Sequence, residues 1–107
     1  MAKTVKKRAV RAKTKTVPYA VAEQLRTPEE MAAYLDAWLD EYPDDASGIT
    51  RALGDIARAK GMAQVARDAG LSRESLYKAL SGEGNPSFAT VLKVARALGV
   101  KLHAEPA

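Results

Sequence analysis

From residue 27 onward, stretches with helical apolar spacing alternate with residues that stop a helix. In "TPEEMAAYLDAWLDEY", Met31, Tyr34, Leu35, Trp38 and Leu39 fall at i, i+3, i+4, i+7 and i+8, while Asp36 and Asp40 face away. Thr27 stands at the N-cap, Pro28 at N1 and Glu30 at N3, which makes a capping box, and Pro43 ends the helix. The next helix is predicted to start after Asp44 or Asp45 and to run to Lys60, with Ile49, Leu53, Ile56 and Ala57 buried and Gly61 as its stop. Arg51 and Asp55 on it form an i,i+4 pair in the less favourable order. "MAQVARDAG" is a short helix with Val65, Ala66 and Ala69 inside and Gly70 as its stop.

Ser72 is placed to cap a further helix over 73–81, whose inner positions are Leu76, Ala79 and Leu80. "SGEGN" breaks the chain. Pro86 and Ser87 then open a last helix, with Phe88, Val91, Leu92, Ala95 and Leu98 inward and Gly99 at C′. At the two flanks the period changes to two. "VPYAVAEQL" (17–25) sets Val17, Tyr19 and Val21 on one side, although its alanines also suit a helix. "VKLHAE" sets Val100, Leu102 and Ala104 against Lys101, His103 and Glu105. A strand at each end invites pairing, within one chain or across a dimer.

Charge divides the same chain differently. Residues 1–16 hold seven Lys/Arg and no acid, residues 17–45 hold one base and eight acids, and residues 46–107 hold nine bases and five acids. The chain therefore reads as a basic disordered tail (1–16), an N-terminal strand with an acidic amphipathic helix (17–45), and a helical domain with a C-terminal strand (46–107). The tail reads equally as an arm lying on phosphates and as a solvated extension. It is acid-poor like a mitochondrial transit peptide, but has no Ser and little apolar content. The acidic stripe helix can meet a basic partner, although such stripes more often serve a core or a dimer seam.

Composition narrows the chemistry. There is no Cys and one His, so disulfides, thiolate metal sites and histidine clusters are not expected. No cofactor, metal or catalytic set is expected, and no enzyme, because the carboxylates fall on helix exteriors and no phosphate loop is present. The apolar runs are too short to span a bilayer, and the basic start is not followed by an apolar stretch, so the expected location is cytoplasmic.

One constellation remains. "MAQVARDAGLSRESLYKAL" joins a helix packed by small residues, a Gly turn, an apolar plug, a Ser cap and a second helix, in the layout of a helix-turn-helix. Ala66 lets the helices cross closely, Gly70 permits a sharp turn, and Leu71 fills the corner. On the second helix Arg73, Glu74, Tyr77 and Lys78 point outward. Arg73 can take guanine in a bidentate contact, Glu74 can accept from a cytosine amino group, and Tyr77 can pack on a thymine methyl or bond a phosphate. Lys78 can reach a guanine or the backbone. Ser72 and Ser75, with Ser81, Gly82, Gly84 and Asn85 beyond, offer donors to phosphates. The plainer alternative is the solvated face of an ordinary helix.

Residues 46–103 resemble the λ-repressor/Xre-type helix-turn-helix domain, and "NPSFATVLKVARALGV" is similar to that family's fourth helix and its lead-in. "ALGDIARAKGM", "GLSRESLYKALSGEGNPSFATVLKVARALG" and "EEMAAYLDAWL" together resemble small antidote proteins of bacterial addiction modules, similar to the HigA-like antitoxins, over residues 19–105. The resemblance implies an all-α fold, a five-helix λ-repressor-like domain here flanked by short terminal strands. It implies a homodimer that binds double-stranded DNA at its own operator and silences a cognate RelE/ParE-like toxin. It carries the DNA-reading role to Arg73, Glu74, Tyr77 and Lys78, with Gln64 near the start of the preceding helix. Ala63 departs from the pattern, standing where relatives often have a capping Ser or Thr, and the basic tail lies outside it. Two other functions stay open: a free-standing phage-type or Xre-family repressor, and a helical interaction module that does not read DNA.

Overall fold

The computed structural model describes residues 24–107, in which five helices follow one another. They are α1 (Pro28–Glu41), α2 (Ala46–Lys60), α3 (Met62–Ala69), α4 (Arg73–Ala79) and α5 (Phe88–Leu98). The readings made for the basic tail 1–16, and for most of the segment 17–25, lie outside the described residues. Of that segment, Gln24 is helical and Leu25 is buried.

Each helix starts and stops for a local reason. Glu30 N donates to Thr27 Oγ1 at 3.1 Å while Thr27 N donates to Glu30 Oε1 at 3.1 Å, which completes the capping box of α1. Asp45 accepts from Gly48 N at 2.8 Å and opens α2. Ser72 and Ser87 accept from Ser75 N and Thr90 N and open α4 and α5. Gly70 and Gly99 both take the left-handed conformation, with φ of 73° and 77°. Behind Gly70, Leu71 N donates to Ala66 O at 2.8 Å and Gly70 N to Arg67 O at 3.2 Å, the crossed pair of a Schellman turn. Val100 and Gly99 repeat it on Ala95 and Arg96.

The core is built mainly from the apolar faces of the five helices. Leu53 and Ile56 of α2, Val65 of α3, Leu76 of α4 and Val94 and Leu98 of α5 are its buried centre. α3 packs against α2, α4 and α5, and α1 packs on α2. One polar contact crosses the α1–α2 seam. The Tyr34 hydroxyl donates to Asp55 Oδ2 at 2.9 Å, and Arg58 Nη2 donates to Asp55 Oδ1 at 3.2 Å. Asp55 is the one charged residue buried among the described residues, so this network lets a carboxylate sit inside the seam. The i,i+4 pair expected between Arg51 and Asp55 does not form, because Asp55 turns inward while Arg51 stays exposed and donates to Ser47 Oγ at 3.2 Å.

Other expectations are corrected. No C-terminal strand is seen among the described residues: residues 100–107 form neither helix nor strand. A strand is completed by a neighbour's hydrogen bonds, and among the described residues none is offered to 101–107. The buried face of α5 is rotated by about a fifth of a turn from the expected one. Phe88 and Leu92 are 68% and 46% exposed, while Val94 and Ala97 are buried. α3 approaches from the side of Val94 and Leu98, and that approach decides which face is covered. Leu39 likewise ends the α1 stripe in solvent while Ala37 is buried. α4 closes at Ala79, two residues short of the expected end.

Burial, together with the neighbouring Asp55 carboxylate, pushes the Tyr34 phenol above its ordinary range. The folded chain keeps this proton after the unfolded chain begins to lose it. Stability from this group is therefore whole below about pH 10 and is lost as pH rises. Tyr34→Phe should cost about 1–2 kcal/mol at pH 7 in urea unfolding, by removing a donor from a buried carboxylate. It should also flatten the loss of stability above about pH 10. An unchanged alkaline slope would contradict the role given to Tyr34.

Candidate nucleic-acid interface

The α3–α4 pair is held from below and open above. Val65, Ala66 and Ala69 of α3 and Leu76 of α4 are buried, and Leu71 is half-buried in the corner between them. The small side chain of Ala66 lets α4 approach. Gly70 sits in the left-handed region, which an L side chain enters at a cost of about 1–2 kcal/mol. These constraints leave Arg73, Glu74, Tyr77 and Lys78 in solvent, with Glu74, Tyr77 and Lys78 on the side of α4 away from Leu76 and Arg73 in the open first turn. Spacing by one turn puts Arg73 and Tyr77, and Glu74 and Lys78, in adjacent rows.

The two serines at the start of α4 are occupied with each other. Ser72 Oγ accepts from Ser75 N at 3.0 Å and donates to Ser75 Oγ at 2.9 Å. Their first task is therefore to fix the helix start. α3 starts differently: Gly61 is its N-cap, no side chain caps it, and Ala63 and Gln64 in its first turn are exposed. The N-cap is therefore Gly61 and not position 63 as expected, since Ala63 lies inside the first turn of the helix.

Asn85 lies exposed in the loop that follows α4, and this loop is tied down on both sides. Ser81 Oγ donates to Lys78 O at 3.1 Å and accepts from Glu83 N and Gly84 N at 3.2 and 3.1 Å. From α2, Ser47 Oγ donates to Gly82 O at 2.6 Å. Gly82 has a φ of 91°, and a Cβ there would strike Arg51 Cγ at 2.6 Å. Ser47 and Arg51 thus buttress the loop from a helix far away in sequence, and Arg51 adds an exposed cation beside it. Sequence reading missed both, because nothing local at 47 or 51 points to residue 82. Phe88, at the first position of α5 directly after the loop, also stands in solvent rather than in the core.

The acidic side chains of α1 belong to another surface. Glu29, Asp36 and Asp40 are exposed on a helix whose main packing partner is α2, not α4. Glu30 is spent on the capping box. No group of His, Cys, Asp or Glu that could hold a metal occurs among the described residues, and no helix there is long and apolar enough to cross a membrane.

No solved structure matches this chain. It is 55% identical over 87 residues to an "Uncharacterized protein" of Haemophilus influenzae strain Rd, a match covering 81% of this chain and 88% of that one. A family model described as "Probable addiction module antidote protein" matches residues 15–106, through all five helices. The chain belongs to that family, the antidote proteins of addiction modules.

Proposed function

We propose that this chain is the antitoxin of a bacterial type II toxin–antitoxin module. It acts in the cytoplasm as a homodimer. In this reading α3 and α4 form a helix-turn-helix of λ-repressor type that binds the module's own operator and represses its promoter. The observation that carries it is the exposed row pair Arg73, Tyr77 and Glu74, Lys78, standing over a fully buried Leu76 and started by a Ser cap behind a left-handed glycine. Such a helix is rigidly backed and free to enter a major groove. Gln64 joins it as a reading residue from α3, Ser72 holds the helix start, Ser75 and Asn85 flank it as donors to the sugar-phosphate backbone, and Arg51 joins them by its place beside the loop.

The toxin side of the proposal rests on charge and family. An antidote has a toxin to silence, and RelE/ParE-like toxins that cleave RNA must carry a basic surface for it. The exposed carboxylates of α1 give such a surface a complement. Separation of these acids from α4 keeps them clear of DNA phosphates.

Arg73→Ala should weaken operator binding by roughly 1–3 kcal/mol and relax preference at one base position, measured by fluorescence anisotropy against single-base operator variants. Lys78→Ala, as a phosphate contact, should weaken all sequences alike and lower the salt slope by about 1. If both variants bind the promoter like the parent chain, α4 is not the reading helix. For the second arm, the product of the adjacent gene should co-purify with the chain at micromolar concentration, and Asp40→Lys should weaken capture without weakening operator binding. A basic neighbour that is not captured would refute the antitoxin reading.

A further inference from the structure

The segment after α5 is a polar-apolar alternation without a partner. Val100 is buried and anchored through its N–H to Ala95 O at 3.0 Å, but residues 101–107 are exposed, and their backbone pairs with no other described residue. Beside this segment a groove of about 420 Å³ opens against α1, floored by Ala32, Leu35 and Leu39 and edged by Glu29, Asp36 and Leu102. Leu39 and Leu102 stand exposed along it.

The order of residues in this segment is complementary to itself. In an antiparallel pair, directly opposite residues share a face, so the register must match apolar with apolar. Centring the pair on His103 does so, setting Leu102 opposite Ala104 of a second copy. The same register sets Lys101 opposite Glu105 of that copy, twice over by symmetry. Centring it on Leu102 would instead set Lys101 opposite His103 and leave Glu105 without a base. Within one chain Lys101 and Glu105 lie four residues apart along the segment and, if it is extended, are roughly 13 Å apart.

We propose that residues 101–105 of two copies pair as antiparallel strands about a two-fold axis at His103. The apolar face of this ribbon, Leu102 with Ala104 of the second copy, closes over Leu39 in the groove of α1. The occupant of the groove is thus a second copy of this chain. The pairing gives a segment with strand periodicity the neighbour that it lacks among the described residues of one chain. The proposal rests on the homodimer stated above and gives that dimer its interface. It also sets the two α4 helices at a separation fixed by the C-terminal ribbon.

The absence of cysteine makes a direct test available. In the full chain, His103→Cys places a thiol opposite its own copy, where opposed strands hold Cα atoms roughly 4.5–5.5 Å apart, within disulfide range. Mild oxidation should convert H103C to a covalent dimer, while Lys101→Cys and Glu105→Cys, each roughly 13 Å from their own copies, should remain largely unlinked. In sedimentation equilibrium, Lys101→Glu should weaken the dimer about ten-fold or more, and adding Glu105→Lys to the same chain should restore it. A chain that sediments as a dimer but neither cross-links at 103 nor responds to K101E would overturn the strand pairing and leave the homodimer standing elsewhere. A chain that stays monomeric throughout the micromolar range would overturn both.

Discussion

A helix of seven residues cannot hold itself together in water, because nucleation costs more than so few hydrogen bonds return. Everything else in this structure serves to hold α4 in spite of that. Leu76 is driven fully into the core, and Leu80 at the C-cap follows it. Ser72 fixes the start, and Gly70 and Leu71 aim it. The loop beyond is pinned by Ser81 from within and by Ser47 and Arg51 from α2. A helix held only by its inner side and its ends has its outer side free, and that is the side a groove-reading helix needs. Rigid backing matters there because a misplaced side chain loses its base contact while keeping the cost of its desolvation.

Charge is segregated onto different elements of the same core. The acids of α1 lie on a helix that meets the rest chiefly through α2, and the Tyr34–Asp55–Arg58 network fixes the α1–α2 seam. Two oppositely charged partners can then be served without one repelling the other. If the C-terminal segment joins two copies over the groove of α1, it links the helix proposed to face the toxin to the dimer proposed to read DNA.

The parts of the fold that sequence made legible are those decided within four or five residues. The caps at Thr27, Ser72 and Ser87 and the left-handed stops at Gly70 and Gly99 depend on neighbours in the chain, and each stands where its residue type predicts. Glu74, Tyr77 and Lys78 on α4 were legible because Leu76 and Leu80 define the opposite face, and Arg73 because it opens the helix. What failed depends on distant partners. The face of α5 is chosen by α3, so Phe88 and Leu92 came out exposed although their spacing fits a core stripe. Asp55 found Tyr34, twenty-one residues away, and not Arg51 one turn away. The contact of Ser47 and Arg51 with Gly82 has no local signature at all. The strand expected at 100–105 failed for the same physical reason, since pairing belongs to two segments and only one is described.

The central claim is that one small core presents two separate surfaces, α4 with its loop for DNA and α1 for the toxin. Amide hydrogen exchange on the full chain tests this most directly, with operator DNA and with the neighbouring gene's product added in turn. The account predicts that DNA slows exchange in α4 and in the 81–87 loop and leaves α1 unchanged, while the protein partner slows exchange in α1 and leaves α4 unchanged. Protection of α1 by DNA, or of α4 by the protein partner, would contradict it.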